Sequence, residues 1–191
     1  MYSLLIDTHD TKVSFALFKD KELFDSIDLE SNMKHSEIAM PSLVSLLSKH
    51  ELKCQDLSEL IVNIGPGSFT GVRIGVVIAK TIAYLLNIPI KMVNSIEMEA
   101  FSVETIKEGL YAIKEKNGYF VGKVDINGAD ESQIKYYSNK EYSEKYSDCE
   151  VNMDIPVDYQ NIYKHLINRE TTNSHLVNPI YIKQIEALKN D

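Results

Sequence analysis

Apolar and polar positions change period several times along this 191-residue chain, and each change marks an element. Tyr2 to Ile6 is a short apolar run closed by the polar stretch Asp7-Thr8-His9-Asp10-Thr11. Val13, Phe15 and Leu17 then alternate with their neighbours, and Asp20-Lys21 turns the chain into Leu23 to Leu29. This patterning predicts three strands in a meander, with Asp7 at the end of the first. From Ser36 to His50 the spacing of Ile38, Ala39, Met40, Leu43, Val44, Leu46 and Leu47 is helical, and Pro41 falls in or just after the first turn or kinks the helix. Leu60 to Ile64 reads as a buried strand and Val72 to Leu86 as a long helix that begins near Thr70. Ile90 to Val93 is a strand after the Asn87-Ile88-Pro89 break. Asn94 or Ser95 then caps a helix through Phe101 or beyond, with Glu97 and Glu99 in its first turns.

Three strands, helix, strand, helix, strand, helix is the order of a mixed sheet with helices packed on it, an α/β fold. Past about residue 105 the pattern is less regular. Leu110 to Ile113 and Tyr119 to Val124 flank Asn117-Gly118, a hairpin signal. Gly128 to Lys145 is polar and reads as loops with one short helix, Val157 to Ile167 as a helix, and Val177 to Tyr181 as the lead into a helical tail from Ile182. The division expected is a first lobe over residues 1–104 and a smaller second lobe over 105–191, whose C-terminal segment packs back on the first. No repeat or low-complexity linker separates the halves.

The stretch around which the pattern is organised is Gly65-Pro66-Gly67-Ser68-Phe69-Thr70-Gly71-Val72-Arg73-Ile74-Gly75. A strand, a glycine turn and a helix start in that order form a candidate anion cradle. The spacing matches neither the P-loop nor the dinucleotide pattern. The alternative is a turn that lets the helix pack closely on the sheet, and both readings stay open. The helix after it is apolar nearly all round, with Gly71, Gly75 and Ala79 on one side, so either a second layer or a partner covers it.

Charge narrows the function classes. A formal net charge of −8 argues against a protein that grips nucleic acid by itself, since such binding rests on Lys and Arg at phosphates. Two distant cysteines suggest neither a disulfide scaffold nor a zinc knuckle. No leader-like start and no segment of membrane-spanning length is read, so the expectation is a soluble protein of the cytoplasm with no membrane contact. The five histidines offer no pair at metal-ligand spacing, and no G-x-S-x-G elbow is present. Asp7 lacks the glycine two residues on that a phosphate hairpin wants; His9 stands there, which favours a turn-capping carboxylate over a ligand.

Ile6-Asp7-Thr8, then His35-Ser36-Glu37 before a helix carrying Pro41, and above all the Gly65 to Gly75 stretch resemble the TsaB (YeaZ) family, bacterial proteins needed to make threonylcarbamoyladenosine in tRNA. The likeness covers about residues 1 to 100. It returns at Pro179-Ile180-Tyr181-Ile182-Lys183, which is similar to the family's closing Pro-x-Tyr-Leu-Arg. Lys114-Glu115-Lys116 and Tyr119 depart from the family's Asp-Ala-Arg-like segment and Glu-x-Tyr.

The resemblance implies a two-lobed fold of the actin, Hsp70 and sugar-kinase type (ribonuclease H-like) with a reduced, degenerate second lobe. It implies a non-catalytic scaffold that pairs with TsaD and helps recruit TsaE in threonylcarbamoylation of tRNA adenosine-37, meeting tRNA only indirectly. No catalytic or metal-binding residue and no cofactor is expected on this chain alone; ATP and a metal ion belong to partner subunits. The expected partner interface comprises His35, Glu37, Ile38, Leu43, Val72, Arg73, Val76 and Ala79, and in isolation the same helices are expected to form a homodimer. Asp7, Gly65, Gly67, Ser68 and Thr70 are candidates to lie near a nucleotide. The competing classes are an ATPase or glycopeptidase-like enzyme of the same superfamily and a nucleotide-binding module built on the glycine turn.

Overall fold

Leu4 and Ile6 of the first strand, β1 (Tyr2–Asp7), belong to one apolar core and Leu5 to another, and all three are wholly buried. A strand covered on both faces has no polar side, which is why this segment reads as a continuous apolar run. The structure, a computed structural model, describes residues 1–182. Of the expected tail, everything past Ile182 lies outside the described residues, including Lys183 of the closing motif.

β2 (Lys12–Lys19) and β3 (Glu22–Glu30) complete the meander, antiparallel to their neighbours; β4 (Leu57–Asn63) and β5 (Ile90–Val93) join parallel on the other side of β1. The order is β3-β2-β1-β4-β5. Helices α1 (His35–Lys49) and α2 (Phe69–Leu86) cover the face of Leu4 and Ile6, and α3 (Ser95–Phe101) covers the face of Leu5. The sequence places each of these elements to within a few residues. Pro41 lies inside α1 and is exposed.

A second sheet follows, made of β6 (Gly109–Glu115), β7 (Gly118–Asp125), β8 (Gly128–Ala129), β9 (Lys135–Ser138) and β10 (Val151–Asn152). Its order is β10-β6-β7-β8, with β9 also paired to β7. The polar region read as loops thus holds two short strands besides α4 (Asn139–Tyr146). They are two to four residues long and half exposed, with no apolar alternation to announce them. α5 (Tyr159–Leu166) is capped by Asp158, whose carboxylate accepts from Asn161 N at 2.9 Å. Its Tyr163 stacks on Phe18 of β2 at 4.3 Å, and Tyr111 and Phe120 of the second sheet share that core. The mixed α/β architecture with two sheets is therefore joined through one interior.

The chain finally returns along the first sheet. Thr172 N donates to Ile90 O at 2.8 Å, Ile180 N to Ile64 O at 2.8 Å, and Val177 is fully buried against α2. Residues 172–181 form a strap beside α2.

One expectation is corrected here. α2 is, by length and composition, apolar enough to cross a membrane, contrary to the reading that no segment is. Its apolar excess has a local use: Val72, Val76, Ala79 and Ala83 are packed in the core.

Lys91 of β5 and Glu59 of β4 form a buried ion pair, 2.9 Å apart. Lys91 also donates to Ile167 O at 2.9 Å, and Tyr163 to Glu59 at 3.4 Å, tying α5 to the sheet. Lys91→Met should destabilise the chain by about 3–5 kcal/mol in urea unfolding, because Glu59 is left buried without its cation, whereas the Lys91→Met/Glu59→Met double substitution should recover most of that loss. Equal losses in the two variants would refute this account.

Candidate functional site

The carboxyl end of β1 meets the first turns of α2 at backbone contact distance. Ser68 N donates to His9 O at 2.6 Å, and Ser68 Oγ caps the helix by accepting from Gly71 N at 3.2 Å. Thr8 Oγ1 donates to Gly71 O at 2.7 Å and accepts from Gly75 N at 3.1 Å. A methyl group at Gly67 would sit 2.2 Å from His9 O, at Gly71 2.1 Å from Thr8 O, and at Gly75 2.4 Å from Thr8 Oγ1. Gly71 and Gly75, four apart on α2, and Gly67 just before it thus line up under the Thr8–His9 segment that follows β1. Gly65, with φ +90°, turns the strand in the left-handed region, and its N–H donates to Asn63 Oδ1 at 2.9 Å. The amides of Gly65, Ser68, Gly71 and Gly75 are committed to oxygens of the chain itself, so the close-packing reading of the turn is the one these bonds satisfy.

Asp7 is closed in the same way. Its Oδ1 accepts from His9 N at 3.0 Å, His9 Nδ1 at 2.8 Å and Asn63 Nδ2 at 3.0 Å. Asn63 is oriented in turn by Ser95, whose hydroxyl donates to Oδ1 at 2.9 Å. Burial by itself pushes the Asp7 carboxyl up and the His9 imidazole down. The charge and hydrogen bond that each gives the other outweigh it, so Asp7 lies below its ordinary 3.8 and His9 is raised to about 9. An imidazolium thus neutralises the one carboxylate at the end of β1. Among the described residues no three His, Cys, Asp or Glu side chains are grouped to hold a metal ion.

A cleft of about 580 Å³ opens beside this pair. His9, Gly67 and Ser68 form one side and Lys114 and Lys116 of the β6–β7 hairpin another. Gly65 and Asp7 lie buried behind it, and Thr70 is exposed on α2. The other expected site residues separate into two groups. Leu43, Val72, Val76 and Ala79 point inward and are buried in the core between α1, α2 and the sheet, with Ile38 packed against it; this corrects their assignment to the partner interface. Burial of Val76 (3 % exposed) beside exposure of Val77 (61 %) shows the helical period at work. His35 is buried too, its Nε2 donating to Asp10 O at 2.8 Å. Glu37, 3.6 Å from Lys34, and Arg73 are exposed. What the two helices turn outward is Met40 and Val44 on α1, and Phe69, Val77, Tyr84 and Leu85 on α2.

The model of the family described as TsaD, tRNA N6-adenosine threonylcarbamoyltransferase, matches residues 29–112. The tRNA threonylcarbamoyladenosine biosynthesis protein TsaB of Bacillus subtilis (strain 168) is 43 % identical over 97 residues, 51 % of this chain and 42 % of that protein. The protein of the same name from Escherichia coli (strain K12) is 32 % identical over 96 residues, 50 % of this chain and 41 % of its own length. Over this part the chain is similar to the TsaB proteins. The matched part spans less than half the length of these relatives. The fold extends further: YeaZ from Pseudomonas aeruginosa superposes with a TM-score of 0.70 at 14 % identity, over 94 % of this chain and 99 % of that one.

In this chain the groups that the sequence left unassigned are those that hold the turn. Thr8, Asn63 and Ser95 carry it, and the signal for Asn63 was a lone amide in the apolar run Leu60 to Ile64. His9 stood out only as a missing glycine. Gly71→Ala is expected to lower stability by about 1–3 kcal/mol or more, read from chemical denaturation, because the new methyl meets backbone oxygen. The Asp7–His9 pair should also make stability depend on pH. A raised imidazole contributes fully below 6.5 and loses its contribution as pH rises through about 9; a lowered carboxyl contributes above 3.8 and loses it in acid. The stability advantage of the natural chain over His9→Gln should therefore be flat between about pH 4.5 and 6.5 and decline above it. A difference constant from pH 5 to 10 would mean that His9 is not charged.

Proposed function

We propose that the chain is a non-catalytic subunit of the machinery that makes threonylcarbamoyladenosine in tRNA, pairing with TsaD and supporting recruitment of TsaE. The observation that carries this reading is the outward row of α2, where Val77, Tyr84 and Leu85 are each more than 60 % exposed on the most apolar helix of the chain. The closed Asp7–His9 pair supports a subunit without its own catalysis, since the carboxylate already has a cation and three hydrogen bonds. On this reading no cofactor is held by this chain alone, ATP and a metal ion belong to the partner subunits, and tRNA is met through them.

A second reading is favoured by the cleft beside His9, Lys114 and Lys116, which has the volume of a small-ligand site. It makes the chain a nucleotide-binding module or an ATPase. Equilibrium binding of ATP to the isolated chain, and ATP hydrolysis abolished by Asp7→Ala, would establish it.

The test of the first reading is co-purification with TsaD from the same organism and tRNA modification with and without this chain. Val77→Glu should leave the fold intact, because the side chain is exposed, yet weaken the complex with TsaD at least about 30-fold by putting a charge into an apolar contact and occupying Arg73 and Lys80. Val76→Glu, by contrast, should fail to fold. Unchanged affinity of a folded Val77→Glu chain would remove α2 from the interface.

A further inference from the structure

Between α2 and the strap runs an open groove of about 480 Å³ with Val76 and Val177 at its base. Val77 and Thr81 line it from α2 and Tyr181 from the strap. Two cations stand in it with no carboxylate beside them among the described residues. The Arg73 guanidinium lies over the Phe69 ring at 3.6 Å and donates through Nε to the Tyr181 hydroxyl at 2.8 Å. Lys80 Nζ donates to the carbonyls of Val177 at 2.8 Å and His175 at 3.4 Å. All these partners are neutral, and none of the eighteen residues of α2 is Asp or Glu. In a chain of net charge −8, its most apolar exposed helix is thus positively charged.

We propose that this groove seats an amphipathic helix of a partner subunit that sets apolar side chains on Val77 and carboxylates on Arg73 and Lys80. The inference rests on the partner-subunit reading above and adds the strap as part of the surface and acidity as the partner's chemistry. Stacking on Phe69 and the bond to Tyr181 hold the Arg73 plane in place, leaving its two terminal nitrogens for a bidentate carboxylate. A second copy of this chain fits poorly. Antiparallel pairing of two α2 helices about Val77 brings Arg73 opposite the Lys80–Thr81 step of the other copy, cation against cation.

Thr81 is exposed in the same wall and its side chain makes no hydrogen bond among the described residues, so it reports charge without disturbing packing. In calorimetric titration of the full chain with purified TsaD, Thr81→Lys should tighten and Thr81→Glu weaken binding, each by about five- to tenfold at low salt. Both effects should shrink as salt is added, and the affinity of the natural chain should fall with it. Binding unchanged by either substitution, or insensitive to salt, overturns the acidic-partner proposal while leaving the pairing itself intact. No complex with the natural chain overturns the partner reading and this proposal together. If sedimentation shows a dimer of the free chain that Thr81→Glu strengthens and Thr81→Lys weakens, the occupant is a second copy and the proposal fails.

Discussion

The structure depends on how closely the Thr8–His9 backbone approaches the first turns of α2. Three glycines spaced four residues apart, two of them on α2, remove the side chains that would hold the two elements apart, and hydrogen bonds from Ser68, Thr8 and Gly75 then lock the contact. With that approach set, the rotation of α2 follows. Val72, Val76, Ala79 and Ala83 face the core, and Phe69, Val77, Tyr84 and Leu85 face out. The same contact closes the end of β1, because the backbone that carries His9 to Gly67 also folds its imidazole onto Asp7.

Buried charge is used throughout as a means of fixing orientation. Lys91–Glu59 sets α5 on the sheet. Arg169 holds Glu97 through two bonds, at 2.8 and 2.7 Å, and Glu97 also accepts from Asn94 N and Ala129 N. That one carboxylate therefore joins the start of α3, the β8 segment and the chain after α5. Each pair has its hydrogen bonds completed, the condition under which charge in an interior is tolerated. Its contribution is to single out one arrangement of two sheets that share an apolar core and could otherwise slide.

The two faces of α2 explain how an over-apolar helix serves two ends. Its inner row makes a core with β1 and β4; its outer row leaves an apolar surface flanked by Arg73, Lys80 and the strap. At the β1 end the Asp7 carboxylate is paired with the His9 imidazole at 2.8 Å.

Local periodicity was enough to read the first sheet, its three helices, the β6–β7 hairpin and α5, because apolar spacing of two or about 3.6 survives whatever the rest of the chain does. The glycine stretch likewise carried the family resemblance. The short strands β8, β9 and β10 were not legible, for they are held by pairing across the sheet and not by their own pattern. Of the candidate site, Leu43, Val72, Val76 and Ala79 were named for a partner interface and lie inward in the core. On a helix apolar all round, sequence cannot fix the rotation, whereas the distance from Thr8 O to Gly71 does. Whether the glycine turn cradles an anion or a neighbouring strand was equally undetermined, since both uses demand the same residues. The positions of Thr8 and His9, distant in sequence from the amides they engage, decided it.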